Sequence, residues 1–227
     1  MRTFSLGFWF EFASTHSYLS ASRVEAAAER AGVAVSWEPF LLGPIFKEQG
    51  WDDSPFNLYP AKGRYMWRDV ERLCAKYGIP FAKPSRFPRS GLLAARVATL
   101  AREASAPWQP EFARAVFRAN FAEDREIADP AEIGDILGSL GLNGWDLIER
   151  AQVPENKELL RERTRRAKTL GIFGAPSFLA DEELFWGNDR LEDALMWFQL
   201  CRRSEESLAS EVPRTGDEAQ NDNPGER

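Results

Sequence analysis

The chain has 227 residues, of which 44% are hydrophobic and 28% charged, and its net charge is -6. One hydrophobic core can organise a chain of this length, and the acidic balance offers nucleic acid no basic surface, which excludes nucleic-acid binding as a function. No stretch approaches the roughly 20 apolar residues that cross a bilayer, and the N-terminus has no secretory signal pattern, so we expect a cytoplasmic protein without membrane partners.

The beginning of the chain predicts a strand, a helix and a second strand. Residues 3–12 are apolar and aromatic with almost no charge, which suits a strand buried on both faces of a sheet. Ser14 can cap the helix that follows, and Gly32 can end it. Residues 33–39 predict the second strand. Such a unit has a right-handed crossover and a parallel strand pair.

The middle of the chain, residues 41–168, predicts only helices, and we interpret it as an insertion. One helix start is well marked, because Asp129 can act as the N-cap and Pro130 occupies the first helical position. Strand patterns return at residues 177–180 and 184–186. The short turn between them predicts an antiparallel hairpin.

The end of the chain predicts one more amphipathic helix, from about residue 190 to residue 201. Beyond it, residues 204–227 are polar, carry Pro and Gly, and contain too few apolar side chains to offset the entropy cost of ordering, so we expect disorder. The elements therefore predict a single domain whose core comprises residues 1–40 and 169–203.

Four short blocks, in order along the chain, carry the functional signal. They read FEFASTHSYL from Phe10, FLLGPIFK from Phe40, AKGRY from Ala61, and GAPS from Gly174 followed by WGNDR from Trp186. In order and spacing they resemble the 2-hydroxychromene-2-carboxylate isomerases and the related kappa-class glutathione transferases, from residue 3 to about residue 200. The resemblance implies an α/β, thioredoxin-like fold of order βαβ…ββα with a large all-helical insertion. It also implies glutathione as the cofactor, and a homodimer.

Ser14 stands where oxidoreductases of the thioredoxin-like superfamily carry the first cysteine of their CxxC motif. The positions here read Ser14-Thr15-His16-Ser17, which excludes disulfide exchange at that site. A hydroxyl at a helix N-terminus can donate a hydrogen bond to a bound thiolate and so lower the pKa of the glutathione thiol. Helix capping is the alternative role of Ser14, and the two roles are compatible. A serine hydrolase is disfavoured because the chain has no GxSxG elbow.

The resemblance also implies contacts for two further parts of glutathione. Pro176 matches the superfamily's cis-proline, although most X-Pro bonds are trans, and Ala175 would pair through its main chain with the cysteinyl part. Asn188 and Asp189 fall where the kappa class binds the γ-glutamyl end, and a carboxylate there can face the α-ammonium group. Helix capping before Arg190 is the alternative role of these two residues.

The remaining candidate contacts with glutathione are Thr15, His16, Lys47 and Lys62. The lysines match family lysines near the pocket and could meet the glycyl or the substrate carboxylate, although lysine side chains are commonly just exposed. Thr15 and His16 replace the Pro-Tyr or Pro-Phe that is usual in the family, and His16 is placed to line the substrate side. Trp51 stands where the kappa pattern has an Asn that contacts glutathione, which removes the basis for that contact.

Several aromatic residues lie close together in sequence and could form the apolar wall of a site for an aromatic substrate. A role in the core is the alternative for most of them. They are Phe46, Trp51, Phe56, Tyr59, Tyr65 and Trp67.

Together these features predict a glutathione-dependent isomerase that acts on a small molecule resembling 2-hydroxychromene-2-carboxylate, in the breakdown of aromatic compounds. The thiolate would add to the substrate, the new single bond would rotate, and elimination would release glutathione again. Two alternatives remain: a glutathione transferase that releases the adduct, and a thioredoxin-like binding module without catalysis. We expect no metal, because Cys74 and Cys201 have no metal-ligand spacing.

Overall fold

Four strands form one mixed sheet in the computed structural model, which describes residues 5–210, with side chains described as far as Arg202. The sheet order is β2-β1-β3-β4, with β1 Ser5–Phe10, β2 Ala34–Pro39, β3 Ser177–Ala180 and β4 Glu183–Trp186. Strand β1 runs parallel to β2 and antiparallel to β3, where Phe8 lies opposite Phe178. Strands β3 and β4 form an antiparallel hairpin. The predicted parallel pair and the predicted hairpin are therefore confirmed.

The helix predicted after β1 is in fact two helices, α1 Thr15–Ala21 and α2 Val24–Ala31. Ser22 ends α1, and Arg23 leaves the helical conformation with a φ of -125°. The Arg23 guanidinium donates a hydrogen bond to Asn188 Oδ1 at 3.0 Å. This contact holds Arg23 at the break between the two helices. Because Asn188 lies 165 residues away, the helical periodicity of the segment does not reveal the break.

Eight helices connect β2 to β3, and within the described residues no strand lies between them. The side chain of Asp129 accepts a hydrogen bond from Ala131 N at 2.9 Å, which confirms the predicted helix start. No helix of the described part of the chain has the length and apolar character that a membrane span requires. The eight helices are α3 Leu42–Glu48, α4 Pro55–Leu58, α5 Pro60–Tyr77, α6 Leu92–Glu103, α7 Gln109–Phe121, α8 Pro130–Ser139, α9 Gly144–Ala151 and α10 Pro154–Thr169.

The last helix, α11 Leu191–Ser210, is longer than the sequence predicts. It takes in residues 204–210, for which we expect disorder from composition. Glu, Leu and Ala in this stretch are strong helix formers, so a helix already started can continue through it. The rest of the expected disordered segment, residues 211–227, lies outside the described residues.

The two faces of the sheet bury different clusters. On one face, Phe8 is fully buried and its ring lies 4.9 Å from the ring of Trp37 and 5.5 Å from that of Phe178. On the other face, Trp9 packs with Phe40 against α3 and α10. Strand β1 is thus buried on both sides, as its continuous apolar sequence predicts. Ser14 follows shortly after its carboxyl end at Phe10.

Candidate active site

The Ser14 hydroxyl joins two segments that are 161 residues apart in sequence. Ser14 is the N-cap of α1, in the extended conformation, and its Oγ accepts a hydrogen bond from Ser17 N at 3.1 Å. The same hydroxyl donates to the main-chain oxygen of Ala175 at 2.9 Å. The structure therefore brings together the first and last of the four sequence blocks, and Ser14 caps its helix while it contacts the proline loop.

The loop before β3 contains a cis peptide bond between Ala175 and Pro176. Ser177 Oγ donates to Gly174 O at 2.9 Å, and Gly187 N donates to Pro176 O at 3.0 Å. A Cβ on Gly174 would lie 2.3 Å from Trp186 Nε1, so any larger residue would displace the indole from its place on the loop. These contacts fix the main chain that faces Ser14.

Asn188 and Asp189 have opposite environments. The Asn188 side chain is buried, and its Oδ1 accepts hydrogen bonds from Ser20 Oγ at 3.2 Å and from Arg23 at 3.0 Å. Its Nδ2 has no hydrogen-bond partner among the residues that the structure describes. The Asp189 side chain is 77% exposed and lies 3.7 Å from the Arg190 guanidinium. Asn188 thus attaches the turn after β4 to α1 and α2, whereas Asp189 presents its carboxylate at the surface.

The His16 side chain is half-buried in the first turn of α1. Burial lowers the pKa of its imidazole, while the charges of Asp69 and Asp189 act in the opposite direction. The Thr15 side chain beside it is buried, and its Oγ1 lies 3.3 Å from both His16 Nδ1 and Met66 Sδ. Thr15 therefore turns into the protein, while His16 lies near two acidic groups on separate elements.

Lys47 and Lys62 are both exposed, and no described contact joins either of them to Ser14. The Lys62 ammonium lies 4.9 Å from the centre of the Tyr59 ring.

The aromatic residues of this region do not form one wall. Trp51 packs on Phe46 at 5.5 Å and Trp67 packs on Phe87 at 4.8 Å, each measured between ring centres. Tyr65 is 63% exposed, and Phe56 is the one of these residues whose ring lies near His16, at 6.3 Å.

Glu11 is a residue near the site that the sequence analysis does not single out. Its Oε2 accepts a hydrogen bond from Ala13 N at 3.0 Å, and Ser14 N donates to its main-chain oxygen at 3.0 Å. Burial raises the pKa of its carboxyl to about 7. The signal that could have identified it is an acidic residue between Phe10 and Phe12, since a charge flanked by two core aromatics is unusual.

A cavity of about 710 Å³ lies on the face of the sheet that carries Trp9, and its lining includes Gly7, Glu38, Arg163 and Leu179. None of the predicted site residues lines it. The carboxylate of Glu38 is held there by Arg163 and by two nitrogens of Arg102, at 3.1 and 2.9 Å. We therefore place the candidate active site at Ser14 and the proline loop rather than in this cavity.

Comparison with known proteins finds relatives that match most of the chain. The model of the DSBA-like thioredoxin domain matches residues 5–196. The 2-hydroxychromene-2-carboxylate isomerase of Sphingobium xenophagum is 28% identical over 191 residues, which cover 84% of this chain and 95% of the relative. The glutathione S-transferase kappa 1 of Caenorhabditis elegans is 23% identical over 199 residues, covering 82% of this chain and 86% of the relative. A solved structure of a 2-hydroxychromene-2-carboxylate isomerase superposes with a TM-score of 0.76 at 21% identity, over 92% of this chain and 99% of that one.

Proposed function

The chain belongs to the DSBA-like thioredoxin domain family, and we propose that it binds glutathione at Ser14 and uses the thiolate to isomerise a small unsaturated carboxylic acid. The observation that carries this proposal is the 2.9 Å hydrogen bond from the Ser14 hydroxyl to Ala175 O, next to the cis-proline. It puts a proton donor beside a main-chain segment suited to a peptide-like ligand. The relatives named as isomerases and as glutathione transferases give the proposal its chemistry.

The sulfur in this reaction has to come from a ligand. Ser14 and Ser17 occupy the positions of the CxxC cysteines, so the site has no thiol of its own. A thiolate beside Ser14 would offer the hydroxyl proton a charged acceptor in place of the neutral Ala175 oxygen, and a charge-assisted hydrogen bond is the stronger of the two. A hydrogen bond made to the charged form lowers the pKa of the thiol.

The ends of glutathione would be bound by groups around this centre. The exposed carboxylate of Asp189 suits the α-ammonium group of the γ-glutamyl end. Asn188 is committed to Ser20 and Arg23 through its side chain, so its part would be to hold the turn that carries Asp189. Thr15 would also support the site indirectly, through its buried side chain at the start of α1. Lys47 and Lys62 are proposed to meet the glycyl or substrate carboxylate as exposed surface cations.

The proposed reaction is reversible addition and elimination. The thiolate adds to an activated double bond of a compound resembling 2-hydroxychromene-2-carboxylate, the resulting single bond rotates, and the thiolate leaves. The match to kappa-class relatives also favours a second candidate, in which the adduct is released as the product of a transferase. Mass spectrometry separates the two, because an isomerase product has the mass of the substrate and a transferase product gains that of glutathione.

We extend the proposal to a cytoplasmic homodimer that works in the breakdown of aromatic compounds. Both cysteines are unpaired, as is usual in a reducing compartment that also holds glutathione. The homodimer rests on the resemblance in sequence. Analytical ultracentrifugation at micromolar concentration measures it directly, and a monomer mass would contradict it.

The experiment that tests the proposed function compares Ser14→Ala with Ser22→Ala. Each removes a serine hydroxyl at one end of α1, but Ser22 lies at the carboxyl end, where its Oγ donates to Tyr18 O. Losing a hydrogen bond to a charged group costs about 1.5–3 kcal/mol. Ser14→Ala therefore raises the pKa of the bound thiol by about one to two, and it lowers turnover by about ten- to a hundredfold. Thiolate absorbance and isomer formation are measured. Wild-type values of both in Ser14→Ala would refute the assignment, and so would a wild-type protein that binds no glutathione in calorimetry.

A further inference from the structure

Two exposed aromatic side chains lie at the proline loop. Phe173 precedes the loop and is 46% exposed, and Trp186 ends β4 and is 53% exposed. Their ring centres lie 4.8 Å apart. Single exposed apolar residues are common on protein surfaces, but rings that contact each other and still face water form an apolar patch, which is a feature of binding sites. We call these two residues the aromatic pair.

The aromatic pair is attached to the main chain that meets Ser14. A Cβ on Gly174 would lie 2.3 Å from Trp186 Nε1, so the indole rests directly on the residue before Ala175. Ala175 O in turn accepts the hydrogen bond from the Ser14 hydroxyl at 2.9 Å. Phe173 is the residue before Gly174. Followed through these contacts and the bonds between them, Trp186 Nε1 is no more than about 13 Å from Ser14 Oγ.

The pairing of the strands also places Trp186 at the end of the sheet near Ser14. Ser177 lies opposite Trp9 of β1 and opposite Trp186 of β4, so these residues form one row across the sheet. Directly opposite residues of antiparallel strands have their side chains on the same face. Trp9 is the last residue but one of β1, and Ser14 follows five residues later. The row therefore lies at the edge of the sheet from which the chain enters the candidate site.

The two rings form a corner and not a stack. Their planes are inclined by 59° to each other. A flat ring can stack on the indole face and present its edge to the Phe173 ring, and both arrangements are favourable for aromatic groups. The indole packs on Gly174 and its main chain belongs to β4, so little side-chain freedom is lost when a ligand binds there.

The distance to Ser14 suits a small aromatic acid. A sulfur that accepts the Ser14 hydrogen bond takes up about 3 Å of the path, and a ring stacked on the indole takes up about 3.5–4 Å. Of a path of at most about 13 Å, about 6 Å then remains, which is the length of one aromatic ring with a short unsaturated side chain. A thiolate at Ser14 can therefore reach the double bond of a substrate whose ring lies on the aromatic pair.

An aromatic substrate needs such a surface, because the aromatic residues between positions 46 and 67 do not form the predicted wall. We propose that Phe173 and Trp186 form the subsite that binds the aromatic ring of the substrate. They would thereby determine the preference of the site for aromatic over aliphatic unsaturated acids. This inference rests on the proposed function for the reacting sulfur at Ser14.

Calorimetry with two matched acids tests the subsite. Cinnamate and sorbate are both unsaturated carboxylic acids, but only cinnamate has an aromatic ring. We expect the wild type, saturated with glutathione, to bind cinnamate more tightly than sorbate. Phe173→Leu and Trp186→Leu each weaken cinnamate binding by about three- to tenfold, which is the contribution of one aromatic contact, and leave sorbate binding unchanged. Trp186→Phe keeps a ring and recovers most of the cinnamate affinity.

Trp145→Leu is the control, because it removes a ring that is 64% exposed on α9. Wild-type cinnamate affinity in both Phe173→Leu and Trp186→Leu would overturn the subsite. An equal loss of cinnamate and sorbate affinity would also overturn it, since that pattern indicates a distorted loop. Unchanged cinnamate affinity in variants that change from dimer to monomer in sedimentation would assign the aromatic pair to an interface between copies of the chain instead.

The same titrations separate this inference from the proposed function. A wild type that binds no glutathione contradicts the proposed function, whereas a selective loss of cinnamate affinity in the two leucine variants still supports the subsite. Conversely, a wild type that binds glutathione but has equal affinity for cinnamate and sorbate contradicts the subsite and leaves the proposed function intact.

Discussion

The carboxyl of Glu11 predicts a dependence of stability on pH. Burial raises its pKa from 4.5 to about 7 in the folded chain. The folded state therefore binds more protons than the unfolded state between these two values, so this group makes the fold less stable as the pH rises through that interval. From the two pKa values, the free energy of unfolding falls by about 2–3 kcal/mol between pH 5 and pH 8 on account of Glu11 alone.

The substitution Glu11→Gln removes this dependence. Glutamine can still accept the hydrogen bond from Ala13 N but cannot ionise, so the variant is more stable than the wild type by about 3 kcal/mol at pH 8 and by only about 1 kcal/mol at pH 5. Urea denaturation at both pH values measures the difference. The control is Glu149→Gln, which neutralises an exposed carboxylate on α9. A difference between Glu11→Gln and wild type that is the same at pH 5 and pH 8 would refute the reasoning.

Two further predictions concern the turn after β4 and the sheet. Asn188→Ala leaves the buried Ser20 hydroxyl without its acceptor and destabilises the fold by about 1–3 kcal/mol, whereas Asp189→Ala leaves stability unchanged and weakens glutathione binding. Chemical denaturation and calorimetry on the two variants should give these opposite patterns. An equal loss of stability in both variants would count against the assignment. Phe8→Ala removes a fully buried ring and costs about 3–5 kcal/mol in chemical denaturation, while Tyr65→Ala, at a residue that is 63% exposed, serves as the control with little effect.

Much of the fold follows from local pattern. The continuous apolar run of β1 specifies a strand buried on both faces, and Asp129-Pro130 specifies a helix start, because both signals depend on neighbouring residues. The break between α1 and α2 has no such signal. It depends on Arg23, whose partner Asn188 is 165 residues away. Helix α11 extends further than the composition predicts for a related reason, since composition measures the capacity for burial but not the continuation of a helix already formed.

The features of the candidate site also fall into those that the sequence determines and those that depend on the tertiary structure. The sequence by itself determined which residue types stand at the end of β1, namely a serine where a cysteine would permit disulfide exchange, and a histidine two residues later. Only the tertiary structure decided that the Ser14 hydroxyl meets Ala175, that Asn188 is buried while Asp189 is exposed, and that burial raises the pKa of the Glu11 carboxyl. The physical reason is that residue identity fixes the chemistry available to a side chain, whereas hydrogen-bond partners and burial depend on contacts between segments that are far apart in the chain.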